Sequence, residues 1–464
     1  MESPSSTVSS KQSVALEKVA EAWRILRPAL WPTPLVRSPA LEELSGYRVW
    51  LKPENLQRTG AYKIRGAYYK LHCLREEGRT RQVVAASAGN HSQGVAYASR
   101  QLGMDCVIVM PERAPLPKRR ATERYGARLI LEGSCFDDAL AFALQYAPEQ
   151  GREFISPFDD MEVITGQGTL AWELLEEMAD HPPDAVLVPV GGGGLLAGVA
   201  SVLKQRLPQI KIVAVQSDCA PAYVQSWKAL RDGVSDPLPL NVPTQETVAD
   251  GVRVRQPGRL CWQITRELVD ASVSISDAQV YQGILFLVEQ AKLVAEGAGA
   301  LAVSALLDPA VRRQMREAGV EPGARVVALV TGGNIDSLTL QRVLERSLVD
   351  KRRARALSVR VKDEPGQLGY IMDVLRRKRA TVLDLRRSWR SRALASDLAD
   401  IEILFETEEE HQGQELLQEL AEEAKARNFE LLAELSDPGP SQAGPQADSR
   451  EDADPNKSQD PPQE

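Results

Sequence analysis

Thr59-Gly60-Ala61-Tyr62-Lys63-Ile64-Arg65-Gly66-Ala67 places one lysine, Lys63, between a turn-forming glycine and a run of helical character. Ahead of it, Val49-Trp50-Leu51 reads as a strand and Lys52-Pro53-Glu54-Asn55-Leu56-Gln57 as the link into the turn. A lysine amine forms a Schiff base with a carbonyl, and it acts as a general base once desolvation lowers its pKa. A lone lysine is ordinarily a solvated surface residue. Three further segments supply the other parts of a cofactor site.

The first is Ser87-Ala88-Gly89-Asn90-His91-Ser92-Gln93-Gly94, after the apolar run Val83-Val84-Ala85-Ala86 and before Val95-Ala96-Tyr97-Ala98, which reads as the start of a helix. A strand, a small polar loop and a helix N-terminus offer unpaired backbone N–H groups to an anion such as a substrate carboxylate. The second is Gly191-Gly192-Gly193-Gly194-Leu195-Leu196-Ala197-Gly198, after the strand Ala185-Val186-Leu187-Val188-Pro189-Val190. Successive glycines are entropically costly and suit a place where backbone approaches something closely, in a βα turn usually a phosphate. The spacing is not that of a dinucleotide fold, and no lysine follows as in a nucleotide P-loop. The third, Thr331-Gly332-Gly333-Asn334, puts a hydroxyl at the end of the strand Val326-Val327-Ala328-Leu329-Val330, where open α/β sheets bind ligands.

Together these segments resemble the pyridoxal-phosphate enzymes of the tryptophan-synthase-β type, and among them the threonine/serine dehydratases. The resemblance runs in order from Pro32-Thr33-Pro34-Leu35 to Thr331-Gly332-Gly333-Asn334. It takes in Ala121-Thr122-Glu123-Arg124-Tyr125-Gly126-Ala127, Pro157-Phe158-Asp159-Asp160, Gly166-Gln167-Gly168-Thr169 and Ala249-Asp250-Gly251. It implies that Lys63 carries pyridoxal 5'-phosphate and that Asn90 hydrogen-bonds the ring hydroxyl. Gly191, Gly192, Gly193 and Gly194 would cradle the phosphate, and Thr331 would face the pyridine nitrogen. Ser87, Ala88, Gly89, Asn90 and His91 would receive the substrate.

The expected fold is α/β, with parallel sheets in a two-domain catalytic core over residues 13–348. Short β-rich runs alternating with helical stretches argue for helix-covered parallel sheets. The resemblance inserts a small domain, about 57–158, into the larger one. A basic connector over 349–355 then leads to a module over 356–435. Its order, a strand at Ala356–Val361, a helix at Leu368–Arg379, strands near Thr381–Trp389 and Leu398–Phe405 and a helix at Gln412–Ala426, is βαββα. This resembles an ACT domain, a small α+β module that binds regulatory amino acids, most clearly at Pro365-Gly366-Gln367-Leu368. Where that family commonly has Gly-Ala-Asn, this chain has Arg379-Ala380-Thr381, so the module would either bind an amino-acid effector or serve only in oligomerisation. The chain is accordingly expected to be a homo-oligomer.

Composition narrows the partners. With 43% hydrophobic and 26% charged residues the chain is an ordinary globular protein, and its net charge of −8 argues against nucleic-acid or anionic-membrane partners. Cys73, Cys106, Cys135, Cys219 and Cys261 form no CxxC pair and no metal-ligand spacing, which suits a reducing compartment. No secretory signal and no membrane-length apolar run stand out, so a cytoplasmic location is expected. The Ser-rich residues 1–12 and the tail 436–464 are expected to be disordered. Between Asp437 and Glu464 the tail holds six prolines, seven acids, two bases and no aromatic residue.

The reaction implied is deaminating dehydration of L-threonine to 2-oxobutanoate and ammonia, and of L-serine to pyruvate. Serine racemases share most of these motifs but carry a serine as second base where this chain has Ala88. A serine-specific dehydratase and a catalytically silent amino-acid sensor are the other readings; a silent protein would be colourless. Related eukaryotic enzymes hold a divalent cation after a strand like Ile212–Val215, but Gln216 and Ala222 stand where carboxylates are needed, so no metal is expected. Ala61 also replaces a serine common two residues before the lysine.

Overall fold

Runs of β-branched and small apolar residues form the strands, and their uniform burial shows which are central. The computed structural model describes residues 14–234, 238–350, 354–362, 364–388, 397–407, 410–427 and 429–434; the segments 1–12 and 436–464 lie outside the described residues. In chain order the strands are β1 (Val36–Arg37), β2 (Arg48–Pro53), β3 (Gln82–Ala86), β4 (Asp105–Met110), β5 (Arg128–Leu131) and β6 (Glu153–Phe154). β7 (Ala185–Pro189), β8 (Lys211–Ser217), β9 (Ala271–Ile275) and β10 (Arg325–Val330) follow. The larger sheet has the order β1-β2-β10-β7-β8-β9 and is parallel except for β1; the smaller, β5-β4-β3-β6, is parallel throughout. The chain therefore has an α/β architecture with two parallel sheets.

β7 and β10 lie side by side in the larger sheet, so the glycine turn after one and Thr331 after the other emerge at the same sheet end. Beside them, the helices Ile64–Glu76, Met161–Glu177 and Gly194–Arg206 pack through glycines. A Cβ on Gly66 would stand 2.7 Å from the Val163 carbonyl, and one on Gly198 2.4 Å from that of Ile164. Gly166-Gln167-Gly168-Thr169 therefore sits inside a helix because backbone must meet backbone there.

Contacts divide the chain into Met1–Ser347 and Leu348–Glu464. In the second unit β11 (Ala354–Lys362), β12 (Thr381–Ser388), β13 (Leu398–Glu406) and β14 (Glu430–Glu434) form an antiparallel sheet of order β12-β13-β11-β14. The helices Gln367–Arg377 and Glu410–Arg427 pack on it over a core of Leu357, Ile371, Val374, Phe405, Leu416 and Leu420. The order is βαββαβ, not the expected βαββα. β14 was missed because its five residues, Glu430-Leu431-Leu432-Ala433-Glu434, begin and end in acids. The connector is also shorter than expected. Residues 349 and 350 finish the helix Ser337–Asp350, and 354 and 355 already belong to β11. Trp389 lies outside the described residues. Among the described residues no helix is long and apolar enough to cross a membrane.

Candidate active site

The turn before Lys63 is clamped to the end of β10. Gly60 adopts φ +72°, and a Cβ there would lie 2.4 Å from Asn334 Oδ1. The Gly333 N–H donates to the Gly60 carbonyl (2.8 Å), the Tyr62 N–H to that of Thr331 (3.1 Å), and Asn334 Nδ2 to that of Thr59 (2.8 Å). Lys63 is thereby delivered to the N-terminus of the helix Ile64–Glu76. Its Nζ donates to the Pro157 carbonyl at 2.9 Å and lies 5.4 Å from the Tyr62 ring centroid. Burial lowers this amine to about 8, against the opposing pull of Cys261 and Glu296. A substantial neutral fraction near physiological pH is what a carbonyl-reactive amine needs.

The glycine turn is more tightly constrained than phosphate binding alone requires. A Cβ on Gly192 would lie 2.2 Å from the Phe158 ring, on Gly191 2.9 Å from Val252 Cα, and on Gly194 2.9 Å from Phe158 Cα. Gly193 has φ +99°. The helix Gly194–Arg206 starts here, and the Ala197 N–H is the first to return to the turn, on the Gly193 carbonyl at 2.8 Å. The amides of Gly194, Leu195 and Leu196 lack intrahelical acceptors by position, as an anion cradle demands. Cys261 underlies the turn, its thiol donating to the Phe158 carbonyl at 3.2 Å.

The helix after β3 begins at Asn90, five residues before its expected start at Val95. Its first turn is polar yet buried, so no apolar period betrays it. Gly94 packs against the Lys63 and Ile64 backbone, where a Cβ would come within 3.2 Å. Ser87 Oγ accepts from the Gly89 N–H at 3.1 Å, and the Ala88 side chain packs against the apolar cluster that includes Leu71, Ala85 and Val95. His91 turns away from this loop and pairs through Nε2 with the Ile155 carbonyl at 2.9 Å. Burial, then the charge of Lys63, pushes its imidazole down to about 3. Thr331 is buried, with Oγ1 donating to the Ala298 carbonyl at 3.3 Å.

Asn90 leads to a residue that sequence reasoning missed. Its Nδ2 donates to Glu296 Oε1 at 2.6 Å, and its Oδ1 accepts from Asn334 Nδ2 at 2.8 Å. Glu296 is buried, and burial, then Asp250, raises its carboxyl to about 7. The available signal was an acid set among small residues, Ala295-Glu296-Gly297-Ala298-Gly299, ahead of an apolar helix. At the position expected to lack a cation, Gln216 Oε1 accepts from the Val224 N–H at 3.0 Å. Among the described residues no group of three or more His, Cys, Asp or Glu could hold a metal ion.

Residues 26–332 match the model of the family described as pyridoxal-phosphate dependent enzyme. The chain is 39% identical over 403 residues to an L-threonine ammonia-lyase of Thermotoga maritima, covering 87% of this chain and 96% of that one. It is 37% identical over 345 residues to the catabolic L-threonine dehydratase TdcB of Staphylococcus aureus, covering 74% and 95%. Among solved structures, the processed form of threonine deaminase isoform 2 from Solanum lycopersicum matches with a TM-score of 0.63 at 31% identity, over 72% of this chain and 94% of that one. Maize serine racemase matches with a TM-score of 0.65 at 29% identity, over 72% and 98%.

Proposed function

The chain belongs to the pyridoxal-phosphate-dependent enzymes, and from that premise we propose that it converts L-threonine to 2-oxobutanoate and ammonia, and L-serine to pyruvate and ammonia. The observation that carries this reading is Lys63, a buried amine lowered to about 8, held beside a glycine turn at a helix N-terminus. These residues fit the cofactor. Lys63 would hold it covalently, Gly191, Gly192, Gly193 and Gly194 its phosphate, Asn90 its ring oxygen and Thr331 its ring nitrogen. Bound there, pyridoxal phosphate supplies the electron sink that acidifies the Cα–H bond of an amino acid joined to it.

The protein contributes position and proton handling. Lys63 Nζ would take the Cα proton, and burial leaves part of this amine uncharged and able to accept one. Ser87 and the start of the helix at Asn90 would offer a hydroxyl and backbone amides to the substrate carboxylate. Thr331 would meet the ring nitrogen with a neutral hydroxyl, and a site with no carboxylate to stabilise a proton there would favour loss of the β-hydroxyl over transamination. His91, paired with the Ile155 carbonyl and uncharged, shapes the loop rather than moving protons. Water lost in elimination returns on hydrolysis, so one amino acid gives one 2-oxo acid and one ammonia. Ala88 supplies no proton on the second face, which sets this reading apart from racemisation.

The second unit would bind an amino-acid effector or join copies of the chain into a homo-oligomer. The purified protein should be yellow and release 2-oxobutanoate from L-threonine. Lys63→Ala should lose both the colour and ammonia release; full turnover by that variant would overturn the assignment.

A further inference from the structure

Glu296 stands behind Asn90, and the network around them fixes which way each amide faces. The Thr59 carbonyl can only accept, so Asn334 turns its Nδ2 toward it (2.8 Å). That same nitrogen donates to Asn90 at 2.8 Å, so the atom Asn90 turns toward it is Oδ1. Asn90 Nδ2 must therefore face Glu296, where it donates to Oε1 at 2.6 Å. One amide hydrogen of Asn90 is used there, and the second is left over. No flip of either amide satisfies all these partners.

The carboxyl itself is held in place by close packing. The Glu296 N–H donates to the Gly332 carbonyl at 3.0 Å, and a Cβ on Gly332 would lie 2.3 Å from Glu296 Oε1. Glu296 stands at the N-cap of the helix Gly297–Leu307, yet its side chain makes no capping bond and turns to Asn90 instead. Asp250 faces it from the short helix Asp250–Val252, and Lys118 from the helix Leu116–Glu123, ion-paired to Asp250 at 2.6 Å. Lys63 and Tyr62 feel its charge from the turn before the helix Ile64–Glu76, and the Asn334 backbone reaches it from beyond β10. Burial and Asp250 together outweigh the donors, leaving the carboxyl at about 7. An anionic ring oxygen on the spare Asn90 N–H would add a second negative charge one amide away, which low-dielectric surroundings penalise.

We propose that Glu296 is a positioning residue for the cofactor: it keeps its proton in the loaded enzyme, so that Asn90 presents its second N–H to the ring oxygen beside a neutral carboxyl. This rests on the assignment of Asn90 to the ring oxygen made above. Deprotonation of Glu296 then places a charge next to the chromophore and changes its spectrum.

The test is a pH titration of cofactor absorbance and fluorescence in the full-length holoenzyme, as wild type, Glu296→Gln and Asp250→Asn. Wild type should show a transition on the alkaline side of about 7. Glu296→Gln keeps an acceptor oxygen for Asn90 but cannot ionise, and should lose that transition. Asp250→Asn removes a negative neighbour and should move it to lower pH. Any transition common to all three belongs to Lys63 or to the cofactor itself. An unchanged midpoint in Glu296→Gln overturns the proposal; should that variant not fold, an unchanged midpoint in Asp250→Asn does so. A colourless wild-type protein overturns the assignment of the cofactor residues first, and this proposal with it.

Discussion

Burial makes Lys63 useful, and the same burial sets its dependence on pH. Its amine is lowered to about 8, so below that pH it is mostly protonated and cannot attack a carbonyl. The rate at which cofactor-free enzyme captures pyridoxal phosphate should therefore rise roughly fifteenfold from pH 6.5 to pH 8 and level off above about pH 9. Stopped-flow absorbance over that range checks it; a rate independent of pH would show that burial does not control the amine. Across the site, Ala88 leaves the second face of the substrate without an acid. Ala88→Ser should add measurable D-serine formation to an enzyme that otherwise eliminates. Chiral analysis of the product decides this, and wild type racemising L-serine as fast as it releases pyruvate would remove the argument. The behaviour of Ala88 follows from its lack of a hydroxyl, whereas that of Lys63 depends on what surrounds it.

Between elements, the link that positions Lys63 is ionic as well as apolar. Arg65, two residues on, is fully buried, with Nε 2.7 Å from Glu54 and Nη2 2.6 Å from Glu173. Lys52, at the end of β2, meets Glu173 and Glu177 at 2.8 Å. The network fastens β2 and the helices Ile64–Glu76 and Met161–Glu177 in one arrangement, and loss of Arg65 would leave the buried Glu54 without its guanidinium partner. The second unit contains an element under local strain. Arg379 follows the helix Gln367–Arg377 at φ +54°, a conformation that suits glycine. Arg379→Gly should raise the stability of this unit by about 1 kcal/mol, read as an upward shift of its thermal transition. An unchanged transition would mean that this turn relaxes at no cost.

At the scale of the whole molecule, every residue assigned to cofactor or substrate lies within Met1–Ser347. Ser347 is buried, its Oγ 2.7 Å from the Val343 carbonyl and 3.0 Å from that of Tyr281, so a cut directly after it keeps these contacts. Truncation after Ser347 should leave a folded, active enzyme, and any inhibition by isoleucine or valine should vanish with the second unit. Activity titrations on both lengths of chain check this. Inhibition that survives truncation would show that the second unit is not the sensor.

Much of this was legible in the sequence because it is written in local constraints. A strand buried on both faces must be apolar, as β7 is throughout and β10 is from Val326 on, and a backbone that meets an aromatic ring must be glycine, as at Gly192. The apolar runs pointed to the parallel sheets and the run of glycines to the turn, while Lys63 was singled out by its place after a turn glycine and by the order of the motifs around it. The first turn of the helix at Asn90, β14 and Glu296 escaped. A polar turn buried against an active site has no apolar period, and a strand that begins and ends in acids has no clear pattern of its own. Only the tertiary structure decided that Glu296 stands behind Asn90, which precedes it by 206 residues, and that Lys63 is lowered to about 8. Desolvation and charge are sums over neighbours, and the chain brings those neighbours together only when it folds.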